Sequence, residues 1–485
     1  MSHPHFDLAA AARQAMTERG FEPEFPPAVA QQLDQLRRNP PQPPASARDL
    51  RSLLWSSIDN DTSRDLDQIE YVEALPNGSQ RVLIGIADVD AFVPKGSPID
   101  QHAMRETTTV YSGVHNFSML PEELSTGSTS LLEGQERAAL VIEFTVDAQA
   151  NIAASDIYLA RIVNRAQLAY PSVGAWLAGQ AAAPPKVAAS TDLQQQLRLQ
   201  DEIAQRLRHQ RYNHGALNLQ TIETHPIHLT DGTIDIEAEV KNRATQLIED
   251  FMIAANGVVA RALDAAHFSS IRRVVKTPKR WDRIVTLAAG LGAKLPAAPD
   301  PKPLHDFLCE QQAKDPDHFA DLSLAVIKLI GPGEYVLERA GDVAPGHFGL
   351  AVQDYTHSTA PNRRFADVVS QRILKALLSG QPNPYTDAEL TEIAANCTEK
   401  GDAARKVERQ MSKRLAAVAM QKRIGEVFDA IVTGVTDGGT FVRVFQPHIE
   451  GLLCEGQHGL DVGDRLRAKL IRADVQKGYI DFARV

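Results

Sequence analysis

Three patterns of apolar and polar positions follow one another along the chain, and each predicts a different kind of element. Residues 1–38 read as two helices. Asp7 can cap an Ala-rich segment that runs to Glu18 and ends near Gly20, and a second segment starts at Pro27, a residue suited to the first helical turn, and runs to Arg38. Pro40, Pro41, Pro43 and Pro44 cannot continue a helix and favour an extended linker, so a boundary is expected there. From about residue 50 to 153 strands dominate, with apolar runs at 81–89 and 138–146 that read as buried strands. After Arg161 the period becomes helical: 191–210, then 238–266 with apolar Leu247, Ile248, Phe251, Met252 and Ala255, then 280–292, 319–330, 364–379, 386–398 and 401–424. Strands first and helices later argue for an α+β domain rather than alternating βαβ units.

The last stretch changes character again. Residues 427–435, 440–445, 450–454, 465–473 and 479–483 read as five short strands with Gly-bearing turns at Gly434, Gly438-Gly439 and Gly463. Five strands in about 60 residues is the size of an OB barrel, which binds oligonucleotides on one face. The expected organisation is a helical module over 1–45, a mixed domain over 46–424 and a five-stranded barrel over 425–485. No internal repeat is visible.

Bulk properties narrow the class only a little. A chain of 485 residues suggests about two to four domains, and 43% hydrophobic with 23% charged residues is ordinary for globular protein. No apolar run reaches the ~20 residues that span a bilayer. The N-terminus lacks a basic segment followed by an apolar core, so no secretory signal is expected. Cys309, Cys397 and Cys454 lie too far apart for a disulfide framework or a zinc knuckle. A cytoplasmic setting is expected, with no membrane partner and, since no dimerisation element is visible, a monomer. The net charge of −10 does not advertise nucleic-acid binding, but local basic clusters exist. They are Arg206, Arg208 and Arg211; Arg272, Arg273, Lys276, Lys279 and Arg280; Arg363 and Arg364; and the run from Arg405 to Arg414. Solvated helix faces account for any one of them as well, so composition leaves the partner open.

The most informative stretch is acidic: Ser57-Ile-Asp-Asn-Asp-Thr-Ser-Arg-Asp-Leu-Asp-Gln-Ile-Glu, ending at Glu70. If Asp65 and Asp67 are extended, the period of two puts both carboxylates on one face. Carboxylates held together repel and call for a hard cation; Mg²⁺ with oxygen ligands and retained waters fits. Paired Mg²⁺ ions can activate a water and clamp the oxygens of a phosphodiester. A solvated acidic loop is the competing reading of this stretch alone. The EF-hand spacing is absent, as are a His-Glu-x-x-His pair and a Gly-x-Ser-x-Gly elbow, which disfavours calcium, zinc-protease and serine-hydrolase chemistry.

The register Asp59-x5-Asp65-x-Asp67 resembles the metal motif of the ribonuclease II/R family, and the match continues in order. It takes in Ile86-Ala-Asp-Val, Gly96-Ser-Pro-Ile-Asp, Arg105 with Thr109-Val-Tyr, Met119-Leu-Pro-Glu-Glu-Leu-Ser, Gly215-Ala-Leu, Ile248-Glu-Asp-Phe-Met-Ile-Ala-Ala-Asn, Gly346-His-Phe-Gly-Leu and Tyr355-Thr-His-Ser-Thr-Ala-Pro-Asn-Arg-Arg-Phe-Ala-Asp. The resemblance spans roughly residues 50–420, and the terminal barrel looks like the S1 motif that the family carries there. It implies an RNB-type catalytic domain acting as a Mg²⁺-dependent, processive, hydrolytic 3′→5′ exoribonuclease. One or two ions are implied, with Mn²⁺ as an alternative. The implied substrate is single-stranded RNA with a free 3′ end, cut to 5′-mononucleotides.

The resemblance also assigns roles. Asp59, Asp65 and Asp67 would hold the metal and the attacking water, Asp67 doubling as a catalytic residue. The family's fourth aspartate is Gln68 here, a neutral ligand that adds no Coulombic attraction. Weaker binding of one ion, recruitment of a nearby acid such as Asp61 or Glu70, or a weak or inactive RNA-binding protein are the readings left open. Arg363 takes the catalytic arginine's place with Arg364 beside it, where a guanidinium can fork onto phosphate oxygens as charge builds. Ala360 and Asn362 stand where Ser and Ile are usual. Tyr111 matches an aromatic that stacks on a base, and Leu219 stands at a position that is aromatic in some members, which implies a looser grip on short products. Tyr170 and Glu249 match contacts to the terminal sugar, whose 2′-hydroxyl distinguishes RNA from DNA. Tyr355 and His357 in the arginine block, and Phe441 on the barrel, complete the candidate RNA contacts. Members usually carry two cold-shock barrels in front, which do not fit in the roughly 49 residues preceding this domain. The leading helices are expected to form a helix-turn-helix-like module or a lid. With a less occluded channel mouth, the enzyme would advance further into a duplex from a 3′ overhang.

Overall fold

The structure, a computed structural model, describes residues 6–221, 223–228, 234–239, 241–316, 318–343, 345–436 and 438–485. Residues 1–5 of the leading helical reading lie outside them. Both leading helices are present. Leu8–Glu18 is capped by Asp7, whose side chain accepts from the Ala10 N–H, and Pro27–Arg38 carries proline in its first turn.

The mixed domain is built on a seven-stranded sheet in the order Arg48–Asp49, Ile152–Val163, Glu136–Val146, Gln80–Ala87, Gln68–Ala74, Ser56–Asp59 and Ala166–Ala169. The five middle strands pair antiparallel, while the short strands at the two edges pair parallel. Two 23-residue helices, Thr191–Asn213 and Arg243–Ala265, pack on each other and on the sheet. Trp55, Ile69, Ile84, Val141 and Ile162 join Leu247, Phe251 and Val258 in one core. Gly85 is small because it must be: a Cβ there would lie 3.0 Å from Ile162 and 3.3 Å from Ile69.

Three readings from the periodicity need correction. The helix expected over 238–266 begins at Arg243, because Ile234–Glu239 is a strand paired with Glu223–His228, and Asn242 starts the helix with a capping box. The segments 386–398 and 401–424 form one 35-residue helix, Asp387–Gln421, capped by Thr386 and Glu389. A glycine inside a helix costs only about 1 kcal/mol, and Gly401 is carried through. Helices Pro98–Glu106 and Pro301–Lys314 were not read at all, although Ser97 and Asp300 cap them by accepting from the Asp100 and Lys302 N–H groups.

The long helix ties the molecule together. Val407 and Met411 pack with Ala12, Ala15 and Met16 of the first helix and with Val110 and Phe117 of a small hairpin, Val110–Tyr111 paired with Asn116–Phe117. Further along, Ala417 and Met420 enter the core of the terminal barrel. That barrel is closed, in the order Val427–Thr436, Gly439–Val444, Ile449–Glu455, Tyr479–Arg484 and Arg465–Asp474, so all five expected strands are present. Among the described residues, no helix is long and apolar enough to cross a membrane.

Candidate catalytic site

Asp59 ends one strand and Gln68 begins the next, so the acidic motif occupies the loop between neighbouring strands. This loop is clamped through its backbone. The Leu66 N–H donates to Ser130 Oγ at 3.0 Å, and Ser130 Oγ donates to the Arg64 carbonyl at 2.6 Å. The Leu66 carbonyl accepts from the Leu131 N–H, and the Asp67 carbonyl from the Ala87 N–H. With Leu66 sealed in the core, its neighbours Asp65 and Asp67 have no freedom to slide.

The arginine arrives from the other end of the domain. Residues 355–364 form a turn ahead of helix Phe365–Leu378, and the Asn362 N–H donates to Asp67 Oδ1 at 2.8 Å. Arg363 Nε stands 3.5 Å from Asp67 Oδ2. Asp67 is 3% exposed, and burial pushes its carboxyl up to about 8 against the pull of Arg363 and of the Asn362 N–H. Asp65 adds to that rise by repulsion, so the two carboxylates sense each other. Burial also raises Asp59, opposed by hydrogen bonds from the Asn60 N–H (2.7 Å) and Ser63 Oγ (2.8 Å) and by Arg363, while Asp65 again repels it.

Tyr111 closes the group. Its hydroxyl donates to Asp65 Oδ2 at 3.1 Å and its N–H donates to Glu408 on the long helix at 3.1 Å, while the residue as a whole remains 39% exposed. Asp59, Asp65, Asp67, Arg363 and Tyr111 are therefore neighbours in the fold. Tyr170 lies at the same edge of the sheet, since it follows Ala169, which pairs with Asp59.

The remaining candidates take other positions. Arg364 turns away from the acids: its Nε and Nη2 donate to Asp367 at 2.8 and 2.7 Å, so it is already matched to a carboxylate. Tyr355 is buried with its ring edge-on to His347 and His357, and His357 shares a 2.7 Å hydrogen bond with the Tyr335 hydroxyl. Burial holds His357 well below the usual imidazole range. Glu249 is exposed and accepts from Lys241 at 3.0 Å. Leu219 packs against the cluster of Trp281, Phe307 and Phe319, and Phe441 is half-buried on the barrel, on the strand face opposite to buried Val442 and Val444. Sequence reasoning missed Ser63, Ser130 and Asn362 as positioning residues. Their contacts run through short side chains and backbone N–H groups, for which only Ser63, inside the motif, carries a local signal.

Whether this site suits a metal is a question of donor chemistry. Hard oxygen ligands that repel one another suit a hard divalent cation. Glu70, beside the motif, has both carboxyl oxygens buried without a hydrogen-bond donor, which also calls for positive charge. Among the described residues, no three acidic, histidine or cysteine side chains already stand together as a closed cage. The donors fit the ion; the cage is not drawn shut.

A mixed α+β domain with this acid–arginine pairing, followed by a closed five-stranded barrel, defines a two-part architecture. The chain belongs to the RNB family: the RNB domain model matches residues 47–380, and the RNase II-type exonuclease C-terminal S1 domain model matches residues 426–485. Ribonuclease R of Thermotoga maritima is 30% identical over 90% of this chain and 65% of its own length. The chain thus spans somewhat less than two thirds of that relative. The fold superposes on Mycoplasma genitalium RNase R in complex with ribose methylated single-stranded RNA with a TM-score of 0.86 at 24% identity, covering 99% of this chain and 78% of that one. It also matches yeast Ssd1, a pseudonuclease, with a TM-score of 0.72 at 18% identity, covering 97% of this chain and 58% of that one.

Proposed function

We propose that the chain is a divalent-metal-dependent, hydrolytic exoribonuclease that shortens single-stranded RNA processively from a free 3′ end and releases 5′-mononucleotides. The observation that carries this reading is Arg363 standing 3.5 Å from buried Asp67 while Tyr111 donates to Asp65. One cation, one carboxylate group and one stackable ring meet at a single point, drawn from segments nearly 300 residues apart.

Asp59, Asp65 and Asp67, with the Gln68 carbonyl, would hold Mg²⁺, with Mn²⁺ as an alternative. The metal would lower the pKa of a water and neutralise developing charge on the phosphoryl oxygens. Arg363 is permanently charged and half-exposed, so it can leave Asp67 and fork onto the scissile phosphate. Tyr111 offers its exposed face to the terminal base without reading its identity, as a sequence-tolerant enzyme requires. Tyr170, which follows the residue paired with Asp59, would meet the last sugar. Incubating 5′-labelled poly(A) with the full chain and Mg²⁺ tests this. A sparse ladder, in which the label passes to a short oligonucleotide with few intermediate lengths, is expected, together with a loss of at least about 100-fold in the Asp67→Asn variant. Internal cleavage, or equal rates in both proteins, would overturn it.

A second reading is a catalytically weak or inactive RNA-binding member. Gln68 favours it, as does the absence of a closed cage among the described residues. Binding of the same RNA without any ladder at saturating Mg²⁺ or Mn²⁺ would establish it.

A further inference from the structure

The substitution at position 68 removes one negative charge from the acidic motif, and two nearby acids could replace it. The structure separates them. Asp61 is exposed at the tip of the loop, where solvent satisfies it. Glu70 is 0% exposed, and neither of its carboxyl oxygens has a hydrogen-bond partner.

Strand position sets Glu70 beside the acidic site. It stands two residues beyond Gln68 on the strand Gln68–Ala74, and side chains two apart leave a strand on the same face. Its backbone pairs with Ser56 on the strand that ends at Asp59. Among the described residues, Asp59 is the one charged side chain that acts on Glu70 electrostatically, and it does so by repulsion. Arg363, which offsets Asp59 and Asp67, has no such effect on Glu70. A buried carboxyl group with no hydrogen-bond partner among the described residues is costly, even when neutral. A divalent cation at Asp59 would relieve both acids at once.

We infer that Glu70 supplies the carboxylate that Gln68 withholds, so that a divalent cation held by Asp59 is bound jointly by Glu70, directly or through one retained water. The negative charge of the motif is kept by moving it two residues along the same strand face. This rests on the metal-dependent reading above, and the test separates the two.

The full chain without RNA is titrated with Mn²⁺ and followed by electron paramagnetic resonance. The proteins compared are the wild type, Glu70→Gln, Asp61→Asn and the double variant Gln68→Asp with Glu70→Gln. Glu70→Gln should weaken Mn²⁺ binding about tenfold or more, as removal of a charged ligand does. Asp61→Asn should bind as wild type, and the double variant should regain the lost affinity. Thermal melts without metal control for folding: Glu70→Gln should melt no lower than wild type, and the rise in Tm that Mn²⁺ gives the wild type should be absent. Equal Mn²⁺ affinity in wild type and Glu70→Gln overturns the role of Glu70 and marks it as a neutral buried acid, leaving the metal reading intact. No Mn²⁺ binding by the wild type overturns both.

Discussion

The acidic loop and the arginine turn face each other across the site, yet they are built on opposite principles. In the turn most charged and polar groups are matched, although the buried side-chain nitrogen of Asn362 has no partner among the described residues. Arg364 has Asp367, the Ala360 N–H donates to Asp367, the Ser358 N–H and Oγ donate to Asn256, and the Asn362 carbonyl oxygen accepts from Thr129. In the loop the backbone is clamped but the carboxyl groups are less fully matched: Asp67 accepts one N–H and is pushed up to about 8 by burial, and Glu70, on the strand that follows, has no donor among the described residues. The turn holds its arginine by satisfying its surroundings. The loop prepares its acids by withholding satisfaction, which leaves them disposed toward whatever positive charge arrives.

Breaking the matched side should be felt first as lost stability. Asp367→Asn leaves the buried guanidinium of Arg364 without its counter-charge, and a loss of about 3–5 kcal/mol is expected in denaturant unfolding. Arg363 can be removed without that penalty because it is half-exposed. Arg363→Gln should therefore melt within a few degrees of wild type while kcat falls by about 10²–10³ and KM changes little, the signature of an interaction made in the transition state. Tyr111 bridges the two regions, touching Asp65 and, through its backbone, the long helix. Tyr111→Ala should weaken binding of a short oligonucleotide by about 1–3 kcal/mol, whichever base is at the 3′ end.

The smallest effect concerns a group outside both regions. Burial lowers His102 to about 4, and its ring lies 4.4 Å from Phe25 of the N-terminal module. Unfolded, this imidazole titrates near the ordinary value, so between pH 6.5 and 4 the unfolded chain binds the extra proton. Stability contributed by neutral His102 is then complete above pH 6.5 and is lost as pH falls toward 4, at most about 2 kcal/mol by pH 5. The unfolding free energy of His102→Gln should fall less between pH 7 and pH 5 than that of wild type. An equal fall in both would assign the acid sensitivity elsewhere.

The elements legible in the sequence were those whose signals are local. Asp7, Pro27 and the five barrel strands announce themselves by capping, proline placement and alternation, and the order of the motif blocks placed Asp67 with Arg363 before any coordinates did. The hidden features depend on distant partners. Nothing in the neighbourhood of Ser130 says that it holds Leu66, and although Asp367 is only three residues beyond Arg364, the sequence does not say which of the two adjacent arginines it takes. Ala238 and Glu239, which fit the start of the helix behind them, belong to the strand Ile234–Glu239, and only its pairing with Glu223–His228 decides this. The segments 386–398 and 401–424 join into one helix because buried Cys397, Ala404 and Val407 carry its packing across the gap between them.

That unbroken helix acts as a ruler. From Glu408, which touches Tyr111, to Met420, in the barrel core, the backbone climbs about 18 Å at 1.5 Å per residue. The interval between the Tyr111 ring and the barrel is set by a hydrogen-bonded rod and not by the spread of a loose tether. Lengthening the rod by one turn would shift the barrel by about 5 Å along its axis and rotate it little, a change of nearly one nucleotide step in the reach of the molecule.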